Sequence, residues 1–244
     1  TLRGINPAAE NEAQAGNEAA EINLTPAQCK AYHDVKEAFA AGKPALLQGI
    51  TGSGKTEIYT KLAQEAIYSR KNVLYLVPEI ALSRQLEERL EKYFPGKLLV
   101  YHSGLTPSER QCVMKSVEHK SDEAQNRKNG HILLGTRSAL FLPHHDLGLV
   151  IVDEEHDSSY KQDSPAPRYN GRDVALMLAA EHHCNILLGS ATPSFESLYN
   201  CACGRFRQIT LNERFHGNGN TDVVLIDTNA ERKKHGMVGS ISRK

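Results

Sequence analysis

No run of about 18 apolar residues occurs anywhere in the chain, which excludes a membrane-spanning helix. The amino terminus lacks a basic stretch followed by an apolar one, so no signal peptide is visible. Tryptophan is absent and cysteine is scarce: there are five, an odd number, and Cys29, Cys112 and Cys184 lie far apart. That spacing argues against a disulfide framework and for a reducing cytosol. Cys201-Ala-Cys203 is not a C-x-x-C pair and has no partner pair, so it reads as two free thiols and no zinc site is expected. Net charge is lacking too, 29 Lys+Arg standing against 29 Asp+Glu, so nucleic-acid binding would have to rest on a local patch. No internal repeat is visible.

What is present is a 244-residue chain that is 40% apolar, enough for one large domain or two small ones and too much for wholesale disorder. Residues 1–23 are rich in alanine and glutamate without periodicity and read as a flexible tail. Residues 229–244 are basic and unpatterned and read as a linker. The chain begins at Thr1, not Met, and is expected to be a piece of something longer. Between the tails, over 24–228, short apolar β-branched runs recur at 45–47, 73–77, 98–101, 132–134, 149–152, 185–188 and 223–226. Amphipathic stretches separate them, at 55–68, 79–94, 106–117 and 172–183, and 119–130 reads as a surface loop. Apolar strands alternating with helices predict an α/β fold, a doubly wound and mainly parallel sheet covered on both faces.

Gly49-Ile-Thr51-Gly52-Ser53-Gly54-Lys55-Thr56 fits G-x-x-x-x-G-K-[ST] completely, after a strand and at the start of a helix. The glycines let the chain turn so that successive N–H groups point inward, and the helix N-terminus adds its positive end. Lys55 would reach the β and γ phosphates and the Thr56 hydroxyl would ligate Mg²⁺. The second apolar strand of note ends in Asp153-Glu154-Glu155-His156. A parallel strand delivers its carboxyl end to the ligand crevice. Asp153 is therefore placed to hold the Mg²⁺ shell and Glu154 to take a proton from the attacking water. A third segment, Ser190-Ala-Thr192-Pro193, again closes a strand, with small hydroxyls able to bridge to the acidic strand.

The order G-K-T, D-E-x-H, S-A-T is similar to that of superfamily II helicase motor lobes, with the fold of a RecA-like P-loop NTPase. Further segments narrow the likeness: Leu24-Thr-Pro-Ala-Gln28 before the phosphate loop, the run from Val77 and Pro78 to Ser83, Gly135-Thr-Arg137-Ser-Ala-Leu-Phe141, and the stretch Tyr160-Lys161-Gln162 to Pro167-Arg168-Tyr169. Together they resemble the PriA (primosomal protein N′) family of bacterial replication-restart helicases, over residues 24 to about 228. The resemblance implies an ATP-dependent 3′-to-5′ DNA helicase in the bacterial cytoplasm. Its ATP and Mg²⁺ would sit on this first lobe, with Gln28 recognising adenine and His156, Ser190 and Thr192 coupling hydrolysis to movement. Pro78, Arg137 and the aromatic-rich loop 160–169 would meet DNA. There Tyr160 and Tyr169 would offer faces for base stacking and Lys161 and Arg168 would meet phosphates. Partners would be single-stranded or forked DNA, a second lobe, other primosome proteins and single-stranded-DNA-binding protein. Met114 stands where relatives tend to carry tryptophan, which reads as a packing exchange. Two other readings stay open at this point: a motor lobe of a D-E-A-H-type RNA helicase, and a nucleotide-binding switch or scaffold without motor activity.

Overall fold

The computed structural model describes residues 22–81, 84–118 and 130–212, together with 229, 237–238 and 241–242. Among these residues, seven parallel strands form the central sheet: β1 (Ala45–Gly49), β2 (Asn72–Leu76), β3 (Leu98–Tyr101), β4 (Ile132–Gly135), β5 (Leu147–Val152), β8 (Asn185–Ser190) and β9 (Arg207–Leu211), in the spatial order β3-β4-β2-β5-β8-β1-β9. A two-residue antiparallel pair, β6 (Lys161–Gln162) and β7 (Tyr169–Asn170), stands apart from it. The helices are α1 (Pro26–Ala40), α2 (Lys55–Tyr68), α3 (Arg84–Tyr93), α4 (Pro107–Glu118), α5 (Gly171–Glu181) and α6 (Phe195–Ala202).

The predicted doubly wound sheet is therefore present, and its strands show why. Side chains alternate between two cores: Val73, Tyr75 and Val77 point to one, and Leu74 and Leu76 to the other. Leu149 and Ile151 likewise oppose Val150 and Val152. A strand buried on both faces needs apolar residues at every position, which is why these runs read as continuous. Each such side chain contributes roughly 1.5–3 kcal/mol on burial. Helix α1 begins where Thr25 and Gln28 satisfy each other's backbone N–H groups in a capping box, with Pro26 opening the first turn.

Three expectations change. Residues 79–94 do not form one helix: Glu79–Ala81 is a 3₁₀ turn closed by the N–H of Ala81 on the carbonyl of Pro78, and α3 starts at Arg84. Strand β9 was not legible as a strand, because only Ile209 and Leu211 of its five residues are buried and the rest face water. Within the stretch read as a linker, Met237–Val238 pairs antiparallel with Ile241–Ser242. The strand expected at 223–226 and the loop at 119–129 lie outside the described residues, as does most of the expected tail; Ile22, at its end, is buried.

Candidate functional site

All the sheet's strands point their carboxyl ends to one edge, and strand order decides what meets there. β8 lies between β1 and β5. The phosphate loop after β1 and the acidic turn after β5 therefore flank the end of β8, which carries Ser190. Residues 50–57, Arg89, Asp153 and Glu154 line the resulting cleft.

Gly52 (φ +78°) and Gly54 (φ +83°) take left-handed conformations that turn the chain into α2. A Cβ on Gly54 would also collide with the side-chain amide of Gln28. Gln28 is buried, and its amide is spent on the loop: Nε2 donates to the carbonyls of Ser53 and Gly54 at 3.3 and 3.2 Å, while Oε1 accepts from the N–H of Thr25 at 2.8 Å. In this arrangement the Gln28 amide clamps the phosphate loop to the start of α1. Lys55 donates to the carbonyl of Gly49 at 2.8 Å, and its Nζ stands 3.7 Å from Oε1 of Glu154. The lysine and the acidic turn, more than 90 residues apart in sequence, share one crevice, as the motif spacing anticipated. Thr51 and Gly52 are exposed at the loop's rim, and Thr56 is half-buried at the start of α2.

Asp153 sits at the foot of the cleft. Tyr59 of α2 donates to its Oδ1 at 3.1 Å, Tyr75 of β2 approaches Oδ2 at 3.5 Å, and Tyr160 donates to its backbone carbonyl at 2.8 Å. Tyr59 reaches it by passing over Gly189 of β8, where a Cβ would strike the phenol. Burial, with the nearby charge of Glu154, raises the Asp153 pKa to about 6, against the opposing pull of Lys55. The same burial and the Asp153 charge hold the Tyr59 and Tyr75 hydroxyls protonated, well above their ordinary range. Glu154 has φ +46°, a left-handed conformation that costs a non-glycine residue about 1–2 kcal/mol. His156 lies 3.6 Å from Glu154 through Nδ1. The hydroxyls of Ser190 and Thr192 bracket the imidazole, 2.8 Å from Nδ1 and 3.2 Å from Nε2.

The residues expected to meet DNA divide. Tyr160 cannot offer a face for stacking: it is 1% exposed and its ring packs in the core below β5. The charged, serine-rich stretch around it reads as an open loop, which is why the burial was missed. Tyr169 is half-buried, packed edge-on against the exposed Phe141 at 5.2 Å, with the Arg137 guanidinium 5.8 Å from its ring. Arg137 also donates to the carbonyl of Lys161 at 2.9 Å. Lys161 and Arg168 are exposed, and Pro78 is buried at the end of β2.

Sequence reasoning passed over Tyr59, Tyr75, Arg89, Glu155 and Arg172. Arg89 projects from α3 into the cleft and pairs with Glu57. The signal available for Glu155 was only its place inside the acidic motif. The donor and acceptor set fits a magnesium triphosphate: Lys55 and the start of α2 for the anion, the Asp153 carboxylate for the cation. In addition, the Ser53 hydroxyl is buried inside the loop without a hydrogen-bond partner.

A phosphate loop facing an acidic strand end across the carboxyl edge of a parallel sheet is the arrangement of a P-loop nucleotide-binding lobe. The chain belongs to the DEAD/DEAH box helicase family, whose profile matches residues 25–201. It resembles the first motor lobe of the PriA replication restart proteins. It is 38% identical to that of Rickettsia felis over 192 residues, which is 79% of this chain and 28% of the relative. To that of Haemophilus influenzae it is 41% identical over 192 residues, 79% of this chain and 25% of the relative. To that of Bacillus subtilis it is 37% identical over 212 residues, 86% of this chain and 25% of the relative. The chain thus spans about a quarter of the length of these curated relatives. Among solved structures, the DUF1998 helicase MrfA bound to DNA has a similar fold, with a TM-score of 0.52 and 20% identity, covering 78% of this chain and 27% of that one.

Proposed function

We propose that this helicase motor lobe binds ATP with Mg²⁺ and serves a 3′-to-5′ DNA helicase that translocates on single-stranded DNA during replication restart. The observation that carries the reading is the approach of Lys55 to Glu154 across the cleft, 3.7 Å, beside the unpartnered Ser53 hydroxyl. Lys55 and the N–H groups of residues 49–54 would hold the phosphates, and Thr56 and Asp153 the metal shell, with Gln28 keeping the loop in shape. Mg²⁺, when bound, supplies charge neutralisation at the phosphoryl group. Glu154 would accept a proton from the attacking water at its carboxylate. His156, held between Ser190 and Thr192, would pass the state of the cleft to the rest of the motor. DNA would lie against Arg137, Phe141, Lys161, Arg168 and Tyr169, where cations and aromatic faces adjoin. By likeness to the PriA proteins, the working assembly would add a second lobe carrying a transition-state arginine, other primosome proteins and single-stranded-DNA-binding protein, in the bacterial cytoplasm. Without that lobe, hydrolysis by this chain should be slow by a factor of about 10³–10⁵.

Equilibrium binding of a fluorescent ATP analogue with Mg²⁺ tests the site. Lys55→Ala should weaken binding at least tenfold while leaving the melting temperature nearly unchanged, and Glu154→Gln should bind normally but lose single-turnover hydrolysis. Native affinity in Lys55→Ala would place the nucleotide elsewhere. Oligonucleotide binding, DNA against RNA of the same sequence, separates a DNA motor from an RNA motor.

A further inference from the structure

The second glutamate of the acidic motif does not face the cleft. The Glu155 side chain is completely buried, and its carboxylate collects four donors from two helices. The backbone N–H of Ser194 reaches Oε1 at 2.7 Å. The hydroxyls of Ser194 and Ser197 reach Oε2, each at 2.9 Å, and Arg172 reaches it at 3.3 Å. Arg172, 7% exposed at its side chain and second residue of α5, also donates to the Ser194 hydroxyl at 2.7 Å. The backbone N–H of Glu155 is tied to the carbonyl of Gly189 at 3.0 Å. Glu155 is therefore pinned to β8, α5 and α6 at once.

Its neighbour Glu154 is the strained one, with φ +46°. Local support for that conformation is thin: its N–H meets Oδ1 of Asp153 at 3.0 Å, and its carbonyl accepts from the N–H of Asp157 at 2.8 Å. Relaxing Glu154 to ordinary helical or extended dihedrals would swing the following residue, and Glu155 cannot follow without abandoning its buried partners. A residue stays in a sparsely populated backbone region only when its surroundings over-determine it.

We propose that Glu155 and Arg172 form a positioning pair, whose buried ion pair holds Glu154 in the left-handed conformation that presents its carboxylate to Lys55 and His156. The functional meaning rests on the reading of Glu154 as the base. The pair also fixes the exit of the 161–170 loop to the acidic turn, because Arg172 follows that loop directly. Tyr160, bonded to the Asp153 carbonyl, fixes its entrance.

A double-mutant cycle on thermal melting of the nucleotide-free chain tests the pair. Glu154→Gly removes the left-handed penalty, so its effect on the melting temperature should be more favourable in the native background than beside Arg172→Met. The expected difference is about 2–4 °C. Glu155→Gln, close in shape, should give the same coupling if Arg172→Met does not fold, and Arg172→Lys should retain part of it. A pair that only glues α5 to α6 would lower the melting temperature but leave the Glu154→Gly increment equal in every background, and that additivity would overturn the proposal. The cycle contains no nucleotide, so its outcome is independent of Glu154→Gln hydrolysis. If that variant hydrolyses ATP normally, the assignment of the base fails while the backbone coupling stands.

Discussion

At the carboxyl edge of the sheet, Glu154 and Glu155 are paired with Lys55 and Arg172, while Asp153 between the sheet and Glu154 is desolvated and its pKa raised to about 6. At the amino edge, His131, His144, His145 and His182 cluster around the start of β4 and β5 and the end of α5, and burial there drives charge off: the pKa of His131 is lowered and that of His144 falls to about 4. One edge holds its glutamates in fixed, paired orientations and carries backbone strain; the other is a packed seam between helix ends and loops. The contrast is between a cleft lined by paired charges and an edge arranged to close the fold.

Removing a charge should therefore have unequal consequences at the two edges. Glu155→Ala takes from Arg172 its one buried carboxylate, leaving it the more exposed Asp173 and Glu196, and strips the Ser194 and Ser197 hydroxyls of their acceptor; it should cost about 3–5 kcal/mol in chemical denaturation. Lys36→Ala breaks an exposed ion pair with Glu65 near the amino edge, where both side chains are more than a third exposed, and should cost under about 1 kcal/mol. Similar losses for the two would erase the distinction. A smaller effect of opposite sign is expected from Asp153→Asn. The carboxyl there is crowded by Glu154 and desolvated, so neutralising it should raise the stability of the nucleotide-free chain at pH 7 by about 1–2 kcal/mol, as happens where function is kept at the expense of stability. A lower melting temperature in Asp153→Asn would mean that Lys55 and the tyrosines already compensate the charge.

The legible half of the site is the half written in contiguous residues. G-x-x-x-x-G-K-T and D-E-E-H each put their chemistry within eight positions, and the apolar strands before them told which edge they would share. The fold class followed from the same runs. What stayed hidden depends on pairs far apart in the chain. Arg172 and Glu155 are 17 residues apart, Tyr59 and Asp153 are 94, and no periodicity links them. Read singly, Glu155 is a charge in a turn and Arg172 a charge on a helix, each more often solvated than buried. Tyr160 was misread for the converse reason: polar neighbours in sequence suggested exposure, whereas its ring turns inward and its hydroxyl finds a backbone carbonyl. Gly189 has meaning only beside Tyr59, which strand order alone brings over it.

A further effect belongs to the amino edge and sharpens the contrast by pH. His144 donates from Nε2 to the carbonyl of Ala139 at 3.0 Å and packs edge-on against His182, 6.5 Å away. Burial is the main cause of its low pKa; the Ala139 contact pulls the other way, and the charges of His182, His131 and His145 add to the lowering. In the unfolded chain the same ring titrates near 6.5. Between that value and about 4 the unfolded state binds the extra proton and the folded state does not. Stability from this residue is therefore complete above pH 6.5 and is lost as pH falls through the window. Allowing for its partial exposure to solvent, the loss between pH 7 and 5 should be about 1 kcal/mol. His144→Asn, which keeps a donor for Ala139 but cannot charge, should flatten the melting profile over that range. If the variant and native profiles stay parallel from pH 7 to 5, the acid sensitivity lies in groups other than this histidine. The amino edge would then keep its packing role but lose the burial-driven neutrality that sets it against the carboxylates opposite.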